Sequence, residues 1–324
     1  MSETAAIILS AGKSTRMKSD LPKVLHDVCG WPMLRHVLTA CRLAGVDRLL
    51  VVVGHGKKRV MDAFSADFDV TWVEQAMQKG TGHAVLCCRE KLEGFSGNVL
   101  VIAGDMPLVR RVTLANLMET RAHRGDALTL ATAKIDDPTG YGRIVRDADG
   151  QLETIVEQRD CTDEQRAIRE VNPSYYCFDS QHLFEALDQV KVNPKSGECY
   201  LTDVVDVLRA SGKGVSAVVS VDPEEAIGVN SRLDLAAVTR VAQDRIQLTL
   251  MEEGVTIVDP DNTWIEADVS IGRETTIRPF TVIGVGATIG EGCCLGPHAV
   301  IATGETVPDG AVVGPMACAG ASAS

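Results

Sequence analysis

The residues best suited to chemistry lie near the N-terminus, where a short apolar run ends in small residues, a hydroxyl pair and cations. The segment is Ile7-Ile8-Leu9-Ser10-Ala11-Gly12-Lys13-Ser14-Thr15-Arg16-Met17, followed by Leu21-Pro22-Lys23. Backbone N–H groups in such a turn can point at oxyanions. Arginine grips phosphate with two parallel donors, and lysine adds a mobile point charge. The spacing fits neither GxxxxGK[ST] nor GxGxxG, so we predict a polyphosphate-binding loop of another kind.

The elements that must position this loop alternate between strand and helix up to about residue 135. Apolar runs typical of buried strands occur at 5–9, 49–53, 70–73, 98–103 and 128–133. Such alternation indicates a mostly parallel sheet with helices on both faces, and ligands bind such sheets at the carboxyl ends of the strands. The polar segments after Leu9, Val73 and Ala103 are therefore expected to face one crevice.

The chain is less regular over 136–230, where short strand-like pieces and turn-formers suggest an insertion that closes over the crevice. A stretch without Gly or Pro follows at 231–253, and Gly254 comes directly after it. We predict a long helix there, ended by Gly254, that connects two domains.

A six-residue period begins at Ile265 and continues without a slip. Its nine aliphatic positions are Ile265, Ile271, Ile277, Ile283, Ile289, Leu295, Ile301, Val307 and Val313. Such a period is typical of a parallel β-helix in which each hexapeptide forms one face and points its aliphatic side chain inward. With three faces per turn, the run predicts about three coils.

Composition excludes several classes of function. The chain carries 32 Lys and Arg against 44 Asp and Glu, a net charge of −12, which argues against binding nucleic acid or an anionic membrane. We find neither a signal peptide nor a run long enough for a membrane helix. The ten cysteines contain no CxxC pair, so we expect a cytoplasmic protein with reduced, mostly buried thiols rather than disulfides or a zinc site.

Six further motifs follow the opening segment in order, and together they resemble a known family. They are Gln75-Ala76 with Gly80-Thr81-Gly82-His83-Ala84, Gly104-Asp105-Met106-Pro107-Leu108, Asp137-Pro138-Thr139-Gly140-Tyr141-Gly142-Arg143-Ile144, Ile155-Val156-Glu157, Gly197-Glu198-Cys199-Tyr200-Leu201-Thr202-Asp203 and Gly228-Val229-Asn230. This set is similar to the sugar-1-phosphate nucleotidyltransferases, and most closely to the bacterial N-acetylglucosamine-1-phosphate uridylyltransferases, the GlmU family. The resemblance implies an α/β, Rossmann-like nucleotidyltransferase domain at 1–230, a connecting helix at 231–254 and a short left-handed parallel β-helix with a tail at 255–324.

In that family, a sugar-1-phosphate oxygen attacks the α-phosphorus of UTP and pyrophosphate leaves. The resemblance implies that Arg16 stabilises the departing pyrophosphate and that Lys23 holds the reacting phosphates. The other implied roles are nucleotide contacts by Leu9, Ala11 and Gly12, uracil recognition by Gln75 and Gly80 with Thr81 beside them, a substrate contact at Gly104, Mg²⁺ binding by Asp105 and Asn230, and an amino-sugar pocket of Gly142, Glu157, Asn172 and Thr202. His83 is expected to orient the loop rather than to transfer protons.

The sequence departs from the family pattern at several positions. Ser14 stands where Gly is usual, Ser10 where Ala is common, and Ala103 where a polar or aromatic residue often precedes Gly-Asp. Asn172-Pro173-Ser174 replaces Asn-Thr-Gly, and Cys199 replaces a Tyr. Pro173 restricts Asn172 to extended geometry, so the sugar pocket is expected to differ in detail. Together these departures bear on which sugar is bound more than on the reaction.

Two further expectations and three alternatives follow from the resemblance. About three coils are too few for the coenzyme A site of the two-activity members, so we expect no acetyltransferase activity, with His298 a surface residue, and we expect subunit association as a trimer. One alternative is a nucleotidyltransferase for dTTP or another sugar phosphate. The others are a sensing or scaffolding protein and a hexapeptide acyltransferase.

Overall fold

The computed structural model describes residues 3–13, 15–64, 66–194 and 196–320. The chain forms two compact units. The first comprises Met1–Leu25 with Met33–Ser231, and the second comprises His26–Pro32 with Arg232–Ser324. Ser14 lies outside the described residues.

The first eleven strands and the helices follow one another along the chain as follows. The strands are β1 Glu3–Leu9, β2 Asp27–Val28, β3 Trp31–Pro32, β4 Arg48–Val53, β5 Thr71–Glu74, β6 Gly97–Ala103, β7 Leu128–Lys134, β8 Gly142–Arg146, β9 Leu152–Val156, β10 Glu170–Asp179 and β11 Val215–Val219. The α-helices are α1 Met33–Leu43, α2 Lys57–Phe64, α3 Thr81–Leu86, α4 Arg111–Arg124, α5 Asp163–Arg166, α6 Ser180–Leu187, α7 Val204–Ala210 and α8 Arg232–Glu252.

The first unit is built on a mixed sheet in the order β11-β7-β10-β6-β1-β4-β5, with the β8–β9 hairpin joined to β10. Strands β6, β1, β4 and β5 are mutually parallel, and β11 is parallel to β7. Strand β10 runs antiparallel to both of its neighbours. The predicted mostly parallel sheet is therefore confirmed.

Strand β1 shows why this sheet is covered on both faces. Ala5 and Ile7 belong to one hydrophobic cluster, whereas Ala6 and Ile8 belong to another, and all four are fully buried. Because successive strand residues point to opposite faces, a continuous apolar run is compatible only with a sheet packed on both sides.

The direction of the strands collects the polar segments at one edge. The carboxyl ends of β1, β4, β5 and β6 share that edge because these strands are parallel and in register. Strand β10 is antiparallel, so its amino-terminal half reaches the same edge. Its pairing with β7 shifts register between Val171 and Tyr175, a bulge that accommodates Pro173, which has no N–H to donate.

The second unit contains α8, which confirms the predicted long helix, and eleven short strands. They are β12 Thr256–Ile257, β13 Trp264–Ile265, β14 Ser270–Ile271, β15 Thr276–Ile277, β16 Val282–Ile283, β17 Thr288–Ile289, β18 Cys294–Leu295, β19 Val300–Ile301, β20 Thr306–Val307, β21 Val312–Val313 and β22 Cys318–Ala319. They form three parallel sheets. The predicted left-handed parallel β-helix is confirmed by this stacking together with the hexapeptide repeats.

The six-residue period becomes an eighteen-residue ladder in three dimensions. Ile265 pairs with Ile283, which in turn pairs with Ile301. These three side chains are at most 1% exposed, and the first residue of each two-residue strand points outward. One aliphatic side chain per face therefore fills the interior of each coil.

The sequence pattern did not single out the β2–β3 hairpin as part of this unit. The Cys29 carbonyl accepts a hydrogen bond from the Ala267 amide at 2.8 Å, and Gln243 Nε2 lies 3.2 Å from Cys29 Sγ. Gly30 has φ +79°, and an added Cβ there would overlap the side chains of Glu266 and Val285. The hairpin thus contacts the β-helix through its backbone and α8 through the Cys29 and Gln243 side chains.

All ten cysteines are free and seven of them are buried, which confirms the predicted unpaired, mostly buried thiols. None of the helices within the described ranges is long and apolar enough to cross a membrane.

Candidate active site

A cavity of about 360 Å³ opens at the shared strand edge of the first unit. Its lining combines backbone of the opening loop, one ion pair, amide side chains and a polar wall from later in the chain. The residues are Leu9, Ser10, Ala11, Gly12, Pro22, Lys23, Val24, His55, Gln75, Gln78, Gly80, Thr81, Ala84, Ala103, Asp105, Ser174, Glu198 and Tyr200. The segments predicted to face one crevice therefore do meet.

Two carbonyl groups of the opening loop are hydrogen-bonded within the protein. The Leu9 carbonyl accepts from the Gly104 amide at 2.9 Å, and the Ala11 carbonyl accepts from the Gln78 side chain and from the His55 amide. Because these acceptors are engaged, the loop can serve an anion through its N–H groups. Gly104 allows the close approach, since an added Cβ would overlap Ser10 Oγ.

Lys23 lies at the centre of a polar cluster on this edge. Its ammonium forms an ion pair with the Asp105 carboxylate and donates to Asn230 Oδ1 at 3.2 Å. Arg16 Nη2 donates to the same Asn230 oxygen at 2.9 Å. The Lys23 and Asp105 side chains are only 15% and 20% exposed, so their charges interact more strongly than charges in bulk water.

Local structure explains how residues so far apart in sequence meet. Two 3₁₀ turns, Thr15–Met17 and Lys23–Leu25, each bury one apolar side chain, Met17 and Val24. The amide of Val229 donates to the Asp105 carbonyl at 3.0 Å and thereby holds Asn230 beside the carboxylate.

A hollow of about 260 Å³ adjoins this cluster and is lined by Gly12, Lys13, Thr15, Arg16, Lys23 and Asn230. Three of these six residues are cationic. The arrangement suits an anion with several oxygens, because fixed cations and backbone N–H groups converge on one space.

Gln75 is held in one orientation by its neighbours. Its Nε2 donates to the Gly80 carbonyl at 3.0 Å and lies 3.0 Å from His83 Nδ1. Both amide protons are thus engaged, so the side-chain group that Gln75 can still offer to a ligand is its Oε1 acceptor. His83 therefore contacts Gln75, and its expected role in orienting the loop stays a prediction.

The Gly80-Thr81 turn packs directly on the Cys199 loop. Gly80 has φ +99°, and an added Cβ would overlap the carbonyl oxygen of Cys199. Thr81 Oγ1 accepts from the Leu201 amide at 3.0 Å, and the Gly82 amide donates to the Cys199 carbonyl at 2.9 Å. Glycine is required at 80 both by the backbone conformation and by this close contact.

The four residues of the implied amino-sugar pocket lie close to one another, and none of them is among the residues that line the cavity. Thr202 Oγ1 donates to Glu157 Oε1 at 3.3 Å, and a Cβ added at Gly142 would lie 3.7 Å from Asn172 Cβ and 3.8 Å from Glu157 Oε1. Burial raises the pKa of Glu157, and the hydrogen bond from Thr202 acts in the opposite direction.

Asp203 adds a second perturbed carboxyl to this region. Burial, followed by the neighbouring charges of Asp206, Glu157 and Asp160, raises its pKa to about 6. Desolvation and like charges both disfavour the ionised form of a carboxyl.

Sequence reasoning did not assign a role to several residues that line the cavity, among them His55, Ser174, Glu198 and Tyr200. His55 follows β4 and could have been found by the rule applied to the other strand ends. Glu198 and Tyr200 lie within a quoted motif. Arg159 braces both, with an ion pair to Glu198 at 2.9 Å and a cation–π contact to Tyr200 at 4.8 Å.

The two implied metal ligands fit a magnesium ion in their chemistry. The Asp105 carboxylate and the Asn230 amide oxygen converge on one cationic centre, the Lys23 ammonium. Mg²⁺ takes few protein oxygens and relies on water and substrate phosphates. No group of three or more His, Cys, Asp or Glu side chains able to hold a metal occurs among the described residues.

Fold and site together define a class: a nucleotide-binding α/β domain of the nucleotidyltransferase type, followed by a hexapeptide-repeat β-helix. The family described as MobA-like NTP transferase domain matches residues 6–192, and the family described as bacterial transferase hexapeptide (six repeats) matches residues 268–303. The first match covers more than half of the chain. The chain therefore belongs to the MobA-like NTP transferase domain family.

The relatives found by sequence carry the name "Bifunctional protein GlmU" and confirm the predicted family resemblance. That of Trichlorobacter lovleyi is 46% identical over 288 residues, which cover 89% of this chain and 62% of the relative. That of Clostridium botulinum is 46% identical over 85% of this chain and 60% of the relative. That of Geobacillus thermodenitrificans is 45% identical over 86% and 60%. The chain thus spans about 60% of the length of these relatives.

Proposed function

We propose that the protein transfers a uridylyl group from UTP to N-acetylglucosamine-1-phosphate, giving UDP-N-acetylglucosamine and pyrophosphate. The observation that carries the proposal is the convergence of Lys23, Asp105 and Asn230 beside a cavity that also contains an oriented glutamine. UTP and sugar-1-phosphates are cytoplasmic metabolites, so the reaction would take place in the cytoplasm and supply cell-envelope precursors.

The fixed orientation of Gln75 supports uracil as the base. Its available Oε1 is an acceptor, and the N3–H of uracil is a donor, whereas N3 of cytosine is an acceptor. A buried polar group that is left unpaired costs binding energy, so this acceptor favours UTP over CTP. Thymine has the same N3–H, and dTTP therefore belongs in any test.

The cations account for charge stabilisation. Lys23 would hold the reacting phosphates, and Arg16, on the adjoining hollow, would bind the departing pyrophosphate. The attacking group is a phosphate oxygen that is already anionic, and pyrophosphate leaves readily. The protein's contribution is therefore alignment and charge neutralisation rather than acid–base chemistry.

We further propose that Asp105 and Asn230 bind Mg²⁺. When bound, the ion would neutralise charge on the phosphates as the reaction proceeds. Lys23, which already lies between the two oxygens, would then interact with phosphate oxygens instead of with Asp105.

The sugar would lie toward Glu157, Asn172, Thr202 and Gly142, whose side chains and backbone are in mutual contact. Glu157 is half-buried, and its carboxylate oxygens can accept hydrogen bonds, which suits sugar hydroxyl groups. These four residues are the ones that the family resemblance implies for the amino sugar, and they are the reason for proposing N-acetylglucosamine-1-phosphate as the acceptor.

Pyrophosphate release on a panel of nucleotides and sugar-1-phosphates, with and without Mg²⁺, tests the proposal. We expect release with UTP, N-acetylglucosamine-1-phosphate and Mg²⁺ together, and little without any one of them. Faster release with dTTP or with another sugar phosphate would favour the alternative enzyme, and no release with any pair would favour a sensing protein. Asp105→Ala should abolish turnover, and unchanged activity would refute the metal assignment.

The expectation that this polypeptide does not transfer acetyl groups stays a prediction. His298 is exposed and its ring stacks on Phe280 at 4.7 Å between centroids, which engages one face of the imidazole. Acetylation of glucosamine-1-phosphate by acetyl-CoA and the pure polypeptide would contradict the prediction.

We propose that the β-helix associates three subunits, so that 1–230 performs the reaction, 231–254 connects and 255–324 assembles. Trp264, Val282 and Val300 lie side by side on one sheet and are 39%, 39% and 43% exposed. A contiguous exposed apolar patch marks an interaction site. Light scattering should give a trimer for the parent and a smaller mass for Val282→Glu combined with Val300→Glu. Thr288→Glu, outward on another sheet, is the control, and a double variant that stays trimeric would refute this interface.

A further inference from the structure

Ser174 combines an unfavourable backbone conformation with a place in the cavity wall. Its φ is +68°, in the left-handed region, and among the eight described non-glycine residues with positive φ it is the one that lines the cavity. A residue with a Cβ adopts this conformation at a cost in free energy. Such strain persists where the surroundings enforce it, often at a binding site.

The surroundings that hold Ser174 are visible in the structure. Its amide donates to Asn172 Oδ1 at 3.0 Å, which closes a tight turn at the β10 bulge. Tyr175 of β10 is paired with Ile102 of the neighbouring strand β6. The next residues toward the cavity, Ser174 before Tyr175 and Ala103 after Ile102, both line it. The small Ala103 side chain leaves room for a ligand next to the serine.

The serine lies next to a buried, hydrogen-bonded pair of side chains, Asn172 and Tyr176. Asn172 Nδ2 donates to the Tyr176 hydroxyl oxygen at 2.5 Å. Burial raises the pKa of Tyr176, and hydrogen bonds with the side chains of Asn172 and Ser174 act in the opposite direction. A serine hydroxyl has one donor proton and two acceptor lone pairs. The Ser174 hydroxyl can therefore donate to a ligand hydroxyl or accept from it.

The same network limits what Asn172 itself can offer. The Asn172 Oδ1 accepts from the Ser174 amide and its Nδ2 donates to the Tyr176 hydroxyl. Asn172 is only 6% exposed. Within the described residues, the cavity wall at this strand is formed by Ser174 and not by Asn172. Asn172 thus holds the backbone of Ser174 in place through the hydrogen bond with its amide.

We propose that Ser174 is a further substrate-binding and specificity-determining residue, whose hydroxyl forms a hydrogen bond with a ring hydroxyl of the acceptor sugar-1-phosphate. The inference rests on the proposed function, since it assumes that a sugar-1-phosphate occupies this end of the cavity. The nucleobase end is marked by Gln75 and Gly80, on the other side of the opening loop, so the contact is with the acceptor and not with UTP.

Two substitutions separate binding from backbone strain. Ser174→Ala removes the hydroxyl and keeps the Cβ, whereas Ser174→Gly removes both and relieves the positive φ. A neutral hydrogen bond lost from a site weakens binding by about three- to tenfold. We expect both variants to raise KM for the sugar-1-phosphate by that factor and to leave KM for UTP unchanged. The melting temperature of Ser174→Gly should equal or exceed that of the parent.

Glu274→Gly is a matched control for strain relief, because Glu274 is exposed in the second unit with φ +62°. It should change neither KM. A parental KM for the sugar-1-phosphate in either serine variant would overturn the inference, as would an equal rise in both KM values. If the parent itself does not turn over any sugar-1-phosphate, the proposed function fails and this inference fails with it. Turnover by the parent with unaffected serine variants refutes the role of Ser174 alone.

Discussion

Residues that meet at the cavity of the first unit come from distant parts of the chain, as Leu9, Asp105 and Tyr200 do. In the second unit the core aliphatics meet at a constant interval of eighteen residues, as Ile265 and Ile283 do. The first arrangement depends on where strands end and which way they run. The second depends on a period that every coil repeats.

This difference predicts different responses to substitution. A polar side chain at the cavity can be removed with little change in packing, because water replaces it, but the chemistry is lost. An inward aliphatic of the β-helix has no chemical role, and its removal leaves a void that the rigid coils cannot fill. Activity should therefore be sensitive to the first unit and stability to the second.

The largest expected effect is that of Lys23→Ala on turnover. Removing a preorganised cation that faces developing charge lowers kcat by about 10²–10³-fold, while the loss of its ion pair with Asp105 should change stability little. Steady-state pyrophosphate release measures the first effect and chemical denaturation the second. Lys58→Ala is the control, since that side chain is 88% exposed and is not among the residues that line the cavity. Equal activity of the two variants would contradict the role of Lys23.

Leu295→Ala should show the opposite behaviour. The side chain is fully buried between the Ile277 and Val313 positions of one sheet, and truncation should lower the free energy of unfolding of the β-helix by about 2–5 kcal/mol. Denaturant titration followed by circular dichroism measures the loss. Val312→Ala, on the outward and 76% exposed neighbour, should change stability by less than about 0.5 kcal/mol. Similar losses in both variants would contradict the inward–outward alternation.

Gly80→Ala tests whether the Cys199 loop must lie against the Gly80-Thr81 turn. Gly80 and Gly94 both have positive φ, but an added Cβ overlaps Cys199 at the first and meets nothing within 4 Å at the second. Both alanine variants should lose about 1–2 kcal/mol of stability from backbone strain. Only Gly80→Ala should also lose about tenfold or more in kcat/KM, because displaced groups misalign the substrate. Equal activity of the two variants would show that the contact does not matter.

The smallest expected effect is a dependence of stability on pH from Asp203. Its folded-state pKa of about 6 lies above the ordinary value of 3.8, so the folded protein binds the proton more tightly than the unfolded chain. The stabilisation is complete below about pH 4 and is lost as the pH rises through about 6. Asp203→Asn should remove this decline, a gain of about 1 kcal/mol at pH 7 after solvent screening. Parallel stability curves for parent and variant between pH 4 and 7 would contradict it.

The amount that sequence alone could predict differs between the two units for the same physical reason. A six-residue period predicts which residues form each strand, which side chains point inward and which strands are neighbours. The positions from Ile265 to Val313 could therefore be predicted without any long-range information. In the first unit, apolar runs predicted the strands, and the parallel-sheet rule predicted that the segments after Leu9 and Ala103 would meet.

Other features of the first unit required three dimensions. Strand β10 is antiparallel and bulged, so the local pattern around Ser174 gave no sign that this residue would line the cavity. Asn230 contacts Lys23 across 207 positions of sequence. The family resemblance, and not any periodic pattern, predicted that both residues belong to one site. The hairpin at 26–32 pairs only two residues per strand, too few to produce an alternating pattern.

The central claim, that the cavity transfers a nucleotidyl group, is tested most directly with UTP labelled in its α-phosphate. Incubation of the full chain with labelled UTP, N-acetylglucosamine-1-phosphate and Mg²⁺, followed by separation of the products, shows where the label goes. We predict that it appears in UDP-N-acetylglucosamine, at a rate that Lys23→Ala lowers by about 10²-fold or more. Label that stays in UTP, or that appears in UMP whether or not the sugar phosphate is present, would contradict the claim.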